Sequence, residues 1–269
     1  MEHDIQQFMA TYGLYEGNDI QATQLRHRFA LVDAFHITEG MRVLEIGCGQ
    51  GDTTMALAKA VGEAGHVTAI DIARGDYGAP MTLQQAHDVI TASTLGERIT
   101  FFLETDFLTM EADDYDVIVL SHCLWYFTSR EQLSAYFAKM AQLSARICIA
   151  EWDLAFTSLA QRNHFCAVSI LALYSAFIEN DGNIQQLFGK SDIRAIAEQH
   201  GLICQHTQTV DASYLQDGAW EKDYATHVLP EFTVAPTSIQ ALVQTYADVM
   251  NETEDTASLN SFVLQFQAL

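Results

Sequence analysis

Positive charge is what this 269-residue sequence has least of: 13 Lys and Arg stand against 35 Asp and Glu, for a formal net charge of −22. A surface of that sign repels phosphate backbones and anionic headgroups, so neither nucleic acid nor an acidic membrane is an expected partner. The acidity serves solubility or draws in cationic substrates, and composition leaves both open. The five cysteines, at 48, 123, 148, 166 and 204, form no Cys-x-x-Cys pair. Reduced, mostly buried thiols in a cytoplasmic protein are therefore expected, not a disulfide framework. No apolar run approaches the ~20 residues that span a bilayer. Residues 1–7 are polar and lack the apolar centre of a signal peptide. No His-x-x-x-His or His-Glu-x-x-His spacing occurs, and Asp113, Asp114 and Asp116 read as a solvated loop, so no metal is expected. Only three prolines occur, at 80, 230 and 236; the last two are expected to bracket a loop.

Apolar residues make up 49% of the chain, enough for a sizeable core. Strands are predicted over 42–46, 66–70, 99–103, 115–120, 147–150, 202–210 and 261–266. Helices are predicted over 53–61, 82–92, 129–144, 158–178, 191–200, 220–229 and 238–250. Residues 1–37 are helical in part, with Leu25, Phe29, Leu31, Val32 and Phe35 on one broad face. A capping box, Ser129 with Gln132, opens the 129–144 helix. Short apolar strands alternating with helices predict an α/β fold, its mostly parallel sheet covered on both faces. Ligands in such sheets bind beyond the carboxyl ends of the strands. Gly47, Asp71, Asp106, Ser121 with His122, and Glu151 all fall at those ends.

The first strand runs into Glu45-Ile46-Gly47-Cys48-Gly49-Gln50-Gly51, and Asp71 ends the second strand 20 positions past Gly51. The spacing is Gly-x-Gly-x-Gly, not the Gly-x-Gly-x-x-Gly of dinucleotide enzymes, and no phosphate-cradling Gly-x-x-x-x-Gly-Lys motif is present. Over residues 38–154 this pattern resembles the class I S-adenosylmethionine-dependent methyltransferases. Asp106-Phe107 and Leu120-Ser121-His122 continue it in order. A sharper resemblance, carried by Asp76-Tyr77-Gly78-Ala79-Pro80 and Leu124-Trp125-Tyr126-Phe127, is to bacterial proteins known as cyclopropane-fatty-acid-synthase-like.

The resemblance implies a Rossmann-like, mostly parallel seven-stranded sheet with helical lid insertions. It divides the chain into an N-terminal helical lid (1–37), a cofactor-binding core (38–154), and the rest of the sheet with substrate-lid helices (155–269). It implies S-adenosylmethionine as cofactor. Gly47, Cys48 and Gly49 would lie against its methionine part, and Gly51 would let the next helix pack close. Asp71, with Ile72 beside it, would accept from the ribose hydroxyls. Asp106 and the Phe107 amide would meet adenine, and the Ser121 carbonyl its ammonium group. Glu45 would brace the loop through backbone amides or a water. One of Arg26, His27 and Arg28 would pair with the cofactor carboxylate.

Methyl transfer is an in-line displacement, so the protein mainly aligns the reactants and excludes water. Three residues are candidates on the acceptor side. His122 titrates near neutrality and is placed to deprotonate an acceptor or to buttress its loop. Tyr126, with Trp125, walls the sulfonium or acceptor, or packs in the core. Glu151 orients or deprotonates the acceptor, or bonds loop amides. The apolar helix at 166–178 covers a small acceptor or forms a homodimer contact. The expected activity is methyl transfer to a small soluble acceptor at O, N or S. The alternatives are transfer to a lipid carbon, which the −22 charge disfavours, and a non-catalytic cofactor-binding sensor or scaffold.

Overall fold

A computed structural model describes residues 4–15, 17–111 and 114–268. Asp113 and residues 1–3, part of the readings above, lie outside the described residues. Seven strands form one sheet in the order β3-β2-β1-β4-β5-β7-β6. They are β1 Arg42–Ile46, β2 His66–Ile70, β3 Ile99–Phe102, β4 Val117–Ser121, β5 Arg146–Trp152, β6 Leu202–Val210 and β7 Ser261–Ala268. Strands β1 to β5 pair in parallel, and β7 pairs antiparallel with both β5 and β6.

Side chains alternate across a strand, so each strand feeds two cores. Val43, Val67, Val117, Val119 and Cys148 enter the layer under α1 (Ile5–Tyr12), α2 (Asp19–Phe35), α3 (Asp52–Val61) and α4 (Leu83–Ala92). Leu44, Ile118, Leu120, Ile149 and Leu264 enter the opposite layer. There they meet α5 (Arg130–Leu143), α6 (Arg162–Phe177) and α7 (Lys190–Glu198). The insertion between β6 and β7 carries α8 (Asp217–Val228) and α9 (Thr237–Met250), which pack on α6. Most of the apolar surface of α6 is thus covered by its own chain, with Phe177 at its end left exposed. Among the described residues no helix is long and apolar enough to cross a membrane.

Four expectations change. The fourth strand starts at Val117, because the Asp116 carboxylate accepts the Arg42 N–H at 2.7 Å and ends the approach to the sheet. The fifth runs on through Glu151 and Trp152, which pair with Phe262 and Ser261. Pro230 lies inside a 3-10 turn, Leu229–Val234, where a missing N–H costs nothing, so the two prolines do not bracket a loop. The capping box on α5 is half-formed. Ser129 accepts from the Gln132 N–H, but the Gln132 side chain accepts from Thr128 instead.

Candidate active site

The loop after β1 crosses the carboxyl end of the sheet. Gly47 has φ +76°, and a Cβ there would lie 2.7 Å from the Cβ of Cys123, so no side chain fits. Gly49 has φ +52° and nothing within 4 Å of its Cβ position, so it faces open space. Asp71 grips this residue: Oδ2 accepts the Gly49 N–H at 2.8 Å and Oδ1 the Ala73 N–H at 2.9 Å. Each carboxylate oxygen keeps a lone pair for a further donor.

A cleft of about 380 Å³ opens beside this loop. Among the expected cofactor-binding residues, Gly47, Cys48, Gly49, Asp71 and Ile72 line one part of it. Phe107 and Ser121 line another, as do His122 and Tyr126 from the acceptor set.

Four expected site residues do not line it. Glu45 points into the α3 layer, where its Oε2 accepts the Thr54 hydroxyl at 2.5 Å, not loop amides. Burial pushes its carboxyl up to about 8. Gly51 stands over Ile90, whose Cδ1 would be 2.7 Å from a Cβ, so its place is the packing of helix against loop. The Asp106 carboxylate turns back on its own loop and accepts the Leu108 N–H at 2.9 Å and the Tyr136 hydroxyl at 3.3 Å. Glu151 is buried in β5. Its oxygens accept the Leu124 N–H at 3.0 Å and its own neighbour's, Trp152, at 2.9 Å. Burial raises its carboxyl to about 7.

His122 reaches the cleft wall, but its Nε2 is taken by Ser261 and its Nδ1 is buried, without a hydrogen-bond partner among the described residues. Its Nε2 lies 2.9 Å from Ser261 Oγ, and Ser261 Oγ lies 2.8 Å from His27 Nε2. Its Nδ1 is buried, 3.3 Å from Glu151 Oε1. Burial holds both histidines well below the ordinary imidazole range. A serine hydroxyl has one proton, so it donates to one ring and accepts from the other. The arrangement is a buried clamp joining α2, the turn after β4, and β7. Trp125 is core, its Nε1–H donating to the Phe188 carbonyl at 3.4 Å. Tyr126 is half-exposed in the cleft, and desolvation raises its phenol above the ordinary value, so it keeps its proton at neutral pH.

Of the three N-terminal basic residues, Arg26 is exposed and lies over the Tyr214 ring, and His27 is in the clamp. Arg28 alone enters the cleft, and its Nε and Nη1 are buried without a hydrogen-bond partner among the described residues. Sequence reading also missed Tyr77 and Asp181, which line the cleft from loops outside the sheet where no periodicity marks them.

A family model described as a methyltransferase domain matches residues 43–146. A cyclopropane-fatty-acyl-phospholipid synthase-like protein of known structure from Lactobacillus casei is 34% identical, with 98% of this chain and 97% of that one covered and a TM-score of 0.88. Methyltransferase phomM of Diaporthe leptostromiformis is 32% identical over 139 residues, 44% of this chain and 36% of that protein. The match thus spans about a third of that curated relative's length. Magnesium protoporphyrin IX methyltransferase from Synechocystis PCC 6803, solved with bound S-adenosylhomocysteine, is 15% identical at a TM-score of 0.51, covering 98% of this chain and 93% of that one. At that distance the likeness shows the fold alone. With a relative 34% identical along nearly its whole length, the chain belongs to the S-adenosylmethionine-dependent methyltransferases, alongside the cyclopropane-fatty-acyl-phospholipid synthase-like protein.

Proposed function

We propose that the protein transfers a methyl group from S-adenosylmethionine to a small organic acceptor at O, N or S. The observation that carries this is the cleft's two-sided fit to such a cofactor. A side-chain-free bend lies against a carboxylate on one side, and Arg28, whose buried Nε and Nη1 lack hydrogen-bond partners among the described residues, lines the cleft with it. Buried guanidinium donors left without an acceptor are costly, and a ligand oxygen that accepts from them removes that cost. Arg28 would pair with the cofactor carboxylate, and Asp71 would accept from its ribose hydroxyls. Ile72, 63% exposed, offers apolar surface to adenine, and the Phe107 N–H would donate to a ring nitrogen. The Ser121 carbonyl would accept from the ammonium group. When bound, the cofactor supplies an already activated methyl on a sulfonium.

The chain's own residues then align and enclose. Tyr126 keeps its proton and donates to the acceptor or presents its ring to positive charge. His122 and Glu151 hold the wall through the buried clamp and do not take the acceptor's proton. Arg28 of α2 and Asp181 bring the segments 1–37 and 155–269 to the cleft, where these segments would act as lids. Transfer to a lipid carbon is the second reading, favoured by the name of the Lactobacillus casei relative.

Calorimetry with S-adenosylhomocysteine and assay of its release from S-adenosylmethionine test the proposal. Micromolar binding, weakened at least tenfold in Arg28→Met, supports the site. By-product formed with soluble acceptors but not with phospholipid vesicles supports the small-acceptor reading, and the reverse supports the lipid one. Tight binding without by-product on either leaves a cofactor-binding sensor and overturns the enzyme reading.

A further inference from the structure

His87, outside the cleft on α4, is aimed at the glycine loop. Its Nε2 lies 2.7 Å from the Gly49 carbonyl oxygen, so the ring carries its proton on Nε2 and donates it there. The ring is fixed by stacking on Phe101, centroids 3.8 Å apart and planes 13° from parallel. Its Nδ1 is buried without a partner among the described residues, which disfavours the other tautomer, whose N–H would have no acceptor. Gly49 is therefore held from both sides: Asp71 takes its N–H and His87 supplies a donor to its C=O. Nothing else comes within 4 Å of the position its Cβ would occupy.

We propose that His87 is a positioning residue for the cofactor: its Nε2–H fixes the 49–50 peptide plane and so sets the shape of the bend that receives the methionine part. In a trans peptide the C=O and the following N–H point in opposite directions. Anchoring the Gly49 carbonyl toward α4 therefore turns the Gln50 N–H the other way. Without the donor, a glycine at φ +52° regains the broad freedom of its residue type, and the loop must be ordered again each time a ligand binds. This rests on the cofactor reading of the cleft.

The test uses the full chain with three variants and one spectrum. His87→Ala removes the donor and the ring, His87→Leu keeps apolar bulk, and His87→Gln restores an amide donor at the reach of Nε2. Expected is an S-adenosylhomocysteine affinity about five- to tenfold weaker in His87→Ala and His87→Leu, returning to within about twofold of the parent in His87→Gln. Turnover at saturating cofactor stays within about twofold of the parent, so the loss falls on KM for the cofactor. ¹⁵N-histidine spectra of the unliganded protein should place the His87 proton on Nε2. Unchanged affinity in His87→Ala, failure of His87→Gln to rescue, or a proton on Nδ1 overturns the assignment. A parent protein that binds no S-adenosylhomocysteine overturns the cofactor reading itself, and the tautomer still decides whether the loop is held as described.

Discussion

Asp71 both shapes the glycine loop and faces the cleft, so its removal should be felt twice. Asp71→Ala deletes charge-assisted hydrogen bonds of ~1.5–3 kcal/mol and frees the Gly49 N–H. S-adenosylhomocysteine affinity is expected to fall ten- to a hundredfold by calorimetry; an unchanged value would remove Asp71 from the ribose role. Glu45 makes a prediction of a different kind. Its carboxyl is raised to about 8 in the folded chain, against an ordinary value of ~4.3. The folded protein therefore holds this proton after the unfolded chain has released it. The stability tied to it is complete below about pH 4 and is lost as pH rises toward 8. Glu45→Gln keeps an acceptor for the Thr54 hydroxyl and cannot titrate. Between pH 5 and 8 the parent should lose on the order of 2–4 kcal/mol more unfolding free energy than this variant, read from denaturant melts. Parallel curves would mean that Glu45 is already ionised in the fold.

Among elements, β7 holds the sheet together, because it lies between β5 and β6 and carries Ser261 into the clamp. Ser261→Ala leaves the Nε2 atoms of His27 and His122 without their shared partner, a cost of ~1–3 kcal/mol. The melting temperature should fall by roughly 3–8 °C, and amides of α2 should exchange faster than those of α5. An unaltered melting curve would show that the clamp is incidental. Strand β4 was legible in the sequence because its Val117–Leu120 stretch is the continuous apolar run expected of a central parallel strand. The carboxyl end of β5 was not, since Glu151 reads as a polar stop until its partner Phe262 is known. Nor was the place of β7, which depends on tertiary pairing. The glycine bend and Asp71 were legible from spacing. The clamp was not, because positions 27, 122 and 261 share no periodicity. His122 and Glu151 looked like acid–base candidates for the same reason: a strand-end position shows proximity to the cleft and conceals what a side chain is already bonded to.

At the scale of the molecule, 35 acidic residues against 13 basic ones set a self-repulsion that opposes compaction. Raising NaCl from 0.05 to 0.5 M shortens the screening length well below 10 Å and should raise the melting temperature by on the order of a few °C. A decrease would mean that local ion pairs such as Lys190 with Asp153 outweigh the net field. The sheet order also sets a timetable for synthesis. β6 leaves the ribosome before β7, its strand neighbour in the sheet, exists, and the two are separated by the α8–α9 insertion. At ~5–20 residues per second that leaves roughly 3–10 s in which β5 and β6 present bare backbone edges to other nascent chains. Cells making this protein quickly at high temperature should therefore lose more of it to aggregates than its equilibrium stability alone would suggest.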